Sequence, residues 1–218
     1  MQIDKNQLDL IRNHQAKVKQ QESLISAAVA IVIRDTDSGP EFLLMQRAKH
    51  ENDPWSGQMA FPGGKIEAHD KSHKNTAIRE TLEEVGLRLN NDDFVGQIDD
   101  VYGLKANGVF SVHVACFVFK LNREVMLVAN HEVADMLWLP MSYLEDPNNS
   151  YEYYHPHDPS LKMPAILINE NKGQILWGLS LRMLKILYTI LNRPMKALSS
   201  EESEQFNQIE QLELKANR

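Results

Sequence analysis

The stretch that most constrains this chain runs from Ser56 to Leu87, SGQMAFPGGKIEAHDKSHKNTAIRETLEEVGL. A short apolar run ends in Gly63 and Gly64, a polar loop follows, and a helix pattern then carries Glu80, Glu83 and Glu84. With about 100° of turn per residue, Glu83 lies roughly 60° to one side of Glu80 and Glu84 roughly 40° to the other. The three carboxylates therefore share one helix face. Ile78, Leu82 and Val85 fall near the opposite side and form the expected core-facing stripe. Arg79 stands one turn before Glu83, and Gly86 supplies a stop signal. Carboxylates at these spacings repel one another by roughly a few tenths of a kcal/mol per pair. A divalent cation turns that repulsion into a site, because hard Mg²⁺ or Mn²⁺ takes oxygen ligands. A Glu-rich face can also be plain solvated surface. The glycine pair just before it favours a site, since glycine lets backbone approach a ligand closely.

At 218 residues the chain has room for one domain with a full core. Its net charge of −7 argues against a general nucleic-acid or anionic-membrane surface. An acidic chain can still handle phosphate anhydrides when bound metal supplies the local positive charge. The one cysteine, Cys116, lies in the apolar run HVACFVF and reads as a small buried hydrophobe, so no intrachain disulfide forms. The opening stretch MQIDKNQLDLIRNH is too polar for a signal peptide, and no run approaches membrane-spanning length. The expected location is cytoplasmic.

In chain order, residues 2–22 read as an amphipathic helix through Ile3, Leu8, Leu10, Ile11 and Val18. AAVAIVI, from Ala27 to Ile33, reads as a central strand, and EFLLMQR, from Glu41 to Arg47, returns from the turn cluster DTDSGP to make a hairpin. Strands are expected over Phe94 to Tyr102, Phe110 to Phe119 and Ala134 to Leu139, with a further short one over Glu124 to Val128. His113 reads as a satisfied strand histidine rather than a ligand. Pro140 suits the first turn of a short helix. The Tyr-rich segment 148–163 followed by MPAILIN reads as a hairpin with a long tip, whose tyrosines either stack on a nucleobase or cover the hairpin. His155, His157 and Asp158 are read as loop composition rather than a metal cluster. Ile175 to Leu191 reads as a strongly apolar helix with Trp177 and Leu181 as core anchors, and a last helix follows a capping box at Ser199 and Glu202.

The 56–87 stretch resembles the Nudix box, a Gly and a spaced acid followed by Arg-Glu-x-x-Glu-Glu-x-Gly. Gly64, Arg79, Glu80, Glu83, Glu84, Gly86 and Leu87 carry the likeness, and among the departures the spaced acid appears as Asp70. The loop from Gly64 to Arg79 is one residue longer than the common pattern, and Thr81 replaces an aliphatic residue. The longer loop and the GQ-x-x-FPGG run from Gly57 to Gly64 resemble the coenzyme A pyrophosphatase-like branch. So do Leu43, Leu44, Arg47, Ala48 and Gly57 upstream, although Met45 replaces a Thr and Asn52 stands where a basic residue is usual. The WGLSLRML run beginning at Trp177 resembles the same branch.

The resemblance implies an α/β Nudix fold, a mixed β-sheet sandwiched between α-helices, over residues 25–193. Residues 1–24 then form an N-terminal helix and 194–218 a C-terminal helical tail. It implies hydrolysis of the diphosphate linkage in a small-molecule nucleoside diphosphate derivative. Coenzyme A or its acyl form leads, followed by ADP-ribose, nucleotide sugars or dinucleotides. Glu80, Glu83, Glu84 and the Gly63 carbonyl are the implied ligands of one to three Mg²⁺ or Mn²⁺ ions. Arg79 pairs with the glutamates, Glu83 first. Arg47 and Gly64 are the implied substrate contacts. Either Glu80 or the loop acid Glu132 takes the proton, and Asp135 is a further candidate. Arg47 reads equally as a strand-end surface charge. Neither nucleic acid nor membrane is an expected partner, and a homodimer stays open. The contrasting reading is a Nudix-fold module that senses a nucleotide without cutting it; the presence of all three box glutamates favours the enzyme.

Overall fold

The computed structural model describes residues 2–18, 25–51, 53, 55–104, 110–156 and 158–198. The expected last helix, Asn52, His157 and most of the LKANGV turn lie outside the described residues.

The apolar run at the centre forms β1 (Ile25–Thr36), and it turns at Gly39 into β2 (Gly39–Arg47). Two short strands follow, β3 (Met59–Ala60) and β4 (Gly63–Lys65). β5 (Phe94–Leu104), β6 (Phe110–Leu121) and β7 (Val133–Pro140) complete a seven-stranded mixed sheet. Its main path runs β3-β2-β1-β6-β5, with β7 also on β2 and β4 also on β1. β1 and β6 pair in parallel from Ile25↔Val112 to Arg34↔Leu121, and every other pair is antiparallel. β1 is apolar on both faces because both are covered.

Alternation along β1 divides the core. Ile31 and Ile33 enter a cluster with α1 (Lys5–Arg12), α3 (Met141–Leu144) and α4 (Gly178–Ile190), through Ile11, Leu144, Leu184 and Leu187. Ala28, Ala30 and Val32 face the opposite cluster with Ala77 and Val85 of α2 (His73–Val85). The result is the α/β sandwich expected, a mixed sheet between helices.

Several boundaries differ from the sequence pattern. α1 covers only Lys5–Arg12 of the expected 2–22; Asp4 caps it, with its side chain accepting from the Gln7 N–H at 2.8 Å. Residues 124–128 are not a strand: after Asn122 the chain runs irregularly along α2, where the Val128 N–H donates to the Val85 carbonyl at 2.9 Å. The 148–163 segment does make a hairpin, β8 (Tyr153–His155) with β9 (Asp158–Met163), and a second follows, β10 (Ala165–Asn169) with β11 (Gln174–Trp177). The apolar pattern taken as one helix from Ile175 therefore begins as a strand. Gly178, at φ 60°, turns the chain into α4, a left-handed backbone conformation that glycine adopts without penalty.

α1 belongs to the core rather than hanging beside it. Ile11 is fully buried, and a Cβ on Gly96 of β5 would lie 2.8 Å from the Ile11 carbonyl oxygen. Ile11→Ala should lower unfolding free energy by about 2–5 kcal/mol, the cost of a large-to-small change at a closed site. Urea denaturation measures it; a loss below about 1 kcal/mol would mean that α1 is peripheral.

Candidate functional site

The orientation of α2 sets the site. Its buried residues are Thr76, Ala77, Thr81, Glu84 and Val85, whereas Leu82 is exposed. The expected stripe of Ile78, Leu82 and Val85 holds at Val85, which is buried, and at Ile78, which packs partly buried against the same cluster, but not at Leu82; Ala77 and Thr81 take the inward positions, Ala77 in one cluster with Ala28 and Ala30. Thr81 is tolerated there because its hydroxyl donates to the Ala77 carbonyl at 2.6 Å. This orientation carries Glu80 and Glu84 toward the sheet and leaves Glu83 outside.

Glu84 is 2% exposed, and its Oε2 accepts the Gly63 N–H at 2.8 Å. Burial pushes the Glu84 carboxyl up to about 8; the Gly63 N–H and the Arg47 charge oppose the rise, while Glu80 and Glu132 add to it. Burial also raises Glu80, against the pull of Arg79. Backbone contact makes Gly63 sterically required, whereas a side chain at Gly64 would displace the Glu80 carboxylate. A Cβ on Gly63 would meet the Ala28 carbonyl oxygen at 2.4 Å, and one on Gly64 would meet Glu80 Oε1 at 2.4 Å.

Arg79 ties the outer side together. Its Nε and Nη2 bond the two oxygens of Asp70 at 3.0 and 2.8 Å, and Nη1 reaches Glu80 and Glu83 at 2.9 Å each. Nη2 also donates to the Lys65 carbonyl at 3.2 Å. Glu83, expected to be the first partner, is one of three. Its side chain is 53% exposed, against 3% for Asp70. The Arg79 bonds hold the Asp70 carboxyl well below the ordinary carboxylate range, and Asp70 in turn raises Arg79. Asp70 was legible only as the spaced acid of the box.

The remaining candidates fall around this centre. The Asn130 N–H donates to the Glu84 carbonyl at 2.9 Å, and the Ala48 N–H donates to the Glu132 carbonyl at 2.7 Å. These bonds hold the Glu132 loop where its charge acts on both Glu80 and Glu84. Arg47 pairs with Asp53 through Nε and Nη2, at 3.1 and 2.7 Å, a partner that the sequence did not signal. Asp135, the further candidate, is bound by Lys172 at 2.6 Å and Gln174 at 2.8 Å, which brace β7 to the β10–β11 hairpin. His113 is buried, with Nε2 2.6 Å from Asp100 Oδ2. Leu181 is buried as expected, but Trp177 is only half-buried.

Among the described residues no three His, Cys, Asp or Glu side chains converge as a preformed metal cluster. The donor chemistry nevertheless fits a hard cation. Two half- to fully buried carboxylates, Glu80 and Glu84, stand beside a glycine backbone, and their mutual charge penalty is the kind that a divalent ion removes.

Against known proteins, the NUDIX domain matches residues 24–158, more than half of the chain. The chain belongs to the Nudix family. It is similar to the mitochondrial coenzyme A diphosphatase NUDT8 of Homo sapiens, 29% identical over 130 residues, which cover 59% of this chain and 54% of that protein. It is also similar to the peroxisomal coenzyme A diphosphatase ndx-8 of Caenorhabditis elegans, 31% identical over 138 residues, 60% of this chain and 57% of that one. Among solved structures, a MutT/nudix family protein from Enterococcus faecalis aligns with a TM-score of 0.53 at 18% identity, covering 84% of this chain and 70% of the other. That likeness is one of Nudix fold alone. The chain spans 34% to 54% of the length of the first curated relatives it matches. No described helix is long and apolar enough to cross a membrane.

The Asp70–Arg79 pair has a measurable signature. A carboxyl held low by its partner stabilises the fold at every pH above its unfolded value of about 3.9, and that contribution fades as pH falls further. Asp70→Asn should cost about 1.5–3 kcal/mol at neutral pH, the worth of charge-assisted hydrogen bonds. The gap from wild type should narrow as pH drops below about 4. Denaturation at several pH values checks this, and a gap that is constant or widens in acid would contradict the pairing.

Proposed function

We propose that this chain is a divalent-metal-dependent hydrolase of the diphosphate linkage in a nucleoside diphosphate derivative, with coenzyme A or acyl-coenzyme A as the leading substrate. The observation that carries this reading is the buried Glu84 carboxylate held on the Gly63 N–H, beside Glu80 and framed by Arg79. The names of the human and nematode relatives support coenzyme A over the other diphosphate substrates.

In this reading Glu80, Glu83, Glu84 and the Gly63 carbonyl would hold Mg²⁺ or Mn²⁺, and a bound ion would neutralise the diphosphate and lower the pKa of the attacking water. Everything else falls to the chain. Arg79 fixes the Glu80 carboxylate and bonds the half-exposed Glu83, and Asp70 keeps Arg79 in place. Arg47 supplies a fixed positive charge between Asp53 and Glu84 for a phosphate oxygen. Glu132, held in reach by its loop, or Glu80 accepts the proton of the attacking water. Gly64 leaves space beside the Glu80 carboxylate that any side chain would fill. The single buried Cys116 suits a reducing compartment such as the cytoplasm.

Hydrolysis of coenzyme A, ADP-ribose, NADH and diadenosine polyphosphates, followed by product identification, tests the assignment. Activity should require Mg²⁺ or Mn²⁺, vanish with a chelator, and favour coenzyme A. Glu84→Gln should remove most turnover, about a hundredfold or more, while leaving the thermal transition near that of the wild type. Near-normal turnover of this variant at saturating Mg²⁺ would sink the assignment.

A further inference from the structure

Asp53, the partner of Arg47, also lines an open cavity of about 550 Å³, a size typical of small-molecule sites. Its walls include Glu51, Asp53 and Gln58 on one side and Tyr153, Ile175 and Trp177 on the other. Trp177 ends β11 opposite Ala165, so strand pairing fixes its backbone. The Tyr153 ring lies 5.1 Å from it, centroid to centroid, and the His155 ring meets it edge-on at 5.6 Å. The two walls are tied together: Gln46 Nε2 donates to the Gly57 carbonyl at 3.2 Å and to the Lys172 carbonyl at 3.4 Å, joining the loop to the hairpin. The cavity is thus built before any ligand arrives.

Its chemistry is uneven. One wall is aromatic and half-exposed, as a stacking surface must be. The other carries two carboxylates, which accept hydrogen bonds and repel phosphate. Asp53 Oδ2 is taken by Arg47, and Oδ1 accepts the Trp55 N–H at 3.0 Å; among the described residues this leaves one lone pair on Oδ1 for a further donor. Arg47, in turn, acts on Glu84. The Arg47–Asp53 pair is therefore the boundary between a place that suits diphosphate and one that does not.

We propose that this cavity takes the ring of the substrate's nucleoside half, an amino-substituted purine, stacked beside Trp177 and Tyr153 with its N–H edge toward Asp53 and Glu51. The proposal rests on the diphosphate reading above and adds its orientation: the diphosphate on the Arg47 side, the ring on the Trp177 side.

Calorimetric titration with adenosine 5′-monophosphate and with ribose 5-phosphate, which lacks the ring, tests it. Trp177→Leu should weaken adenosine 5′-monophosphate binding about tenfold and Tyr153→Leu several-fold, in line with base–aromatic stacking. Ribose 5-phosphate binding should be unchanged in both. Tyr153 sits on the outer hairpin, so its variant keeps the test available even where Trp177→Leu disturbs α4. No adenosine 5′-monophosphate binding by the wild type, unchanged binding in both variants, or equal weakening of the two ligands would each overturn the proposal. Parallel assays separate the two claims. A wild type that cleaves a diphosphate while ring binding ignores both substitutions leaves the hydrolase standing and removes the cavity. A wild type that cleaves none, yet loses ring binding in both variants, keeps the cavity and removes the hydrolase.

Discussion

The guanidinium of Arg79 holds three carboxylates and a backbone carbonyl at once, and the site depends on that one group. Asp70 takes two of its donors, Glu80 and Glu83 share another, and the Lys65 carbonyl ties it to β4. Without a cation of fixed geometry at this place, Asp70, Glu80 and Glu83 would face one another as unpaired like charges. Arginine suits the role better than lysine, because its planar fork can serve several acceptors in set directions. The loop from Gly64 to α2 is thereby closed on itself, and the helix presents Glu80 and Glu84 to the glycine turn rather than to water.

That presentation also needs a helix that lies close to the sheet. Ala77 of α2 shares a buried cluster with Ala28 and Ala30 of β1, Thr81 is fully buried one turn on, and these small residues let the helix lie close enough for Glu84 to reach the Gly63 N–H. A larger residue at any of these positions would lift the helix and open the contact. The close approach leaves Glu84 buried and disfavoured as an anion, which is a cost to the fold that makes sense where a cation binds.

Much of this was legible in the residues, and the misses have physical causes. The β-branched run at β1, the hairpin to β2 and the helix of α2 follow from local pattern. The box residues give the location of the site, since Gly63, Gly64, Arg79, Glu80 and Glu84 do come together. The face of α2 was misjudged because hydrophobicity alone chose Leu82, whereas backbone proximity chose Thr81 and Ala77. Residues 124–128 have strand-like composition, but α2 takes the Val128 N–H through a single carbonyl and no ladder forms. The Arg47–Asp53 and Asp135–Lys172 pairs join segments separated along the sequence or differing in conformation, and no periodicity encodes such partners. Trp177 looked like core because its neighbours in α4 are; the break at Gly178 sets it on a wall instead.

The site thus divides labour between a charged frame, which the family motif specifies, and an outer hairpin, which the motif does not. The central claim concerns the frame: Glu80, held by Arg79, and Glu84, held by the Gly63 N–H, form a cation site before substrate binds. Manganese titration followed by electron paramagnetic resonance, with no nucleotide present, tests it most directly. The wild type should remove Mn²⁺ from the free-ion signal in a saturable way, and a Glu80→Gln, Glu84→Gln double variant should not. Equal uptake by both proteins would place the cation elsewhere and contradict the account.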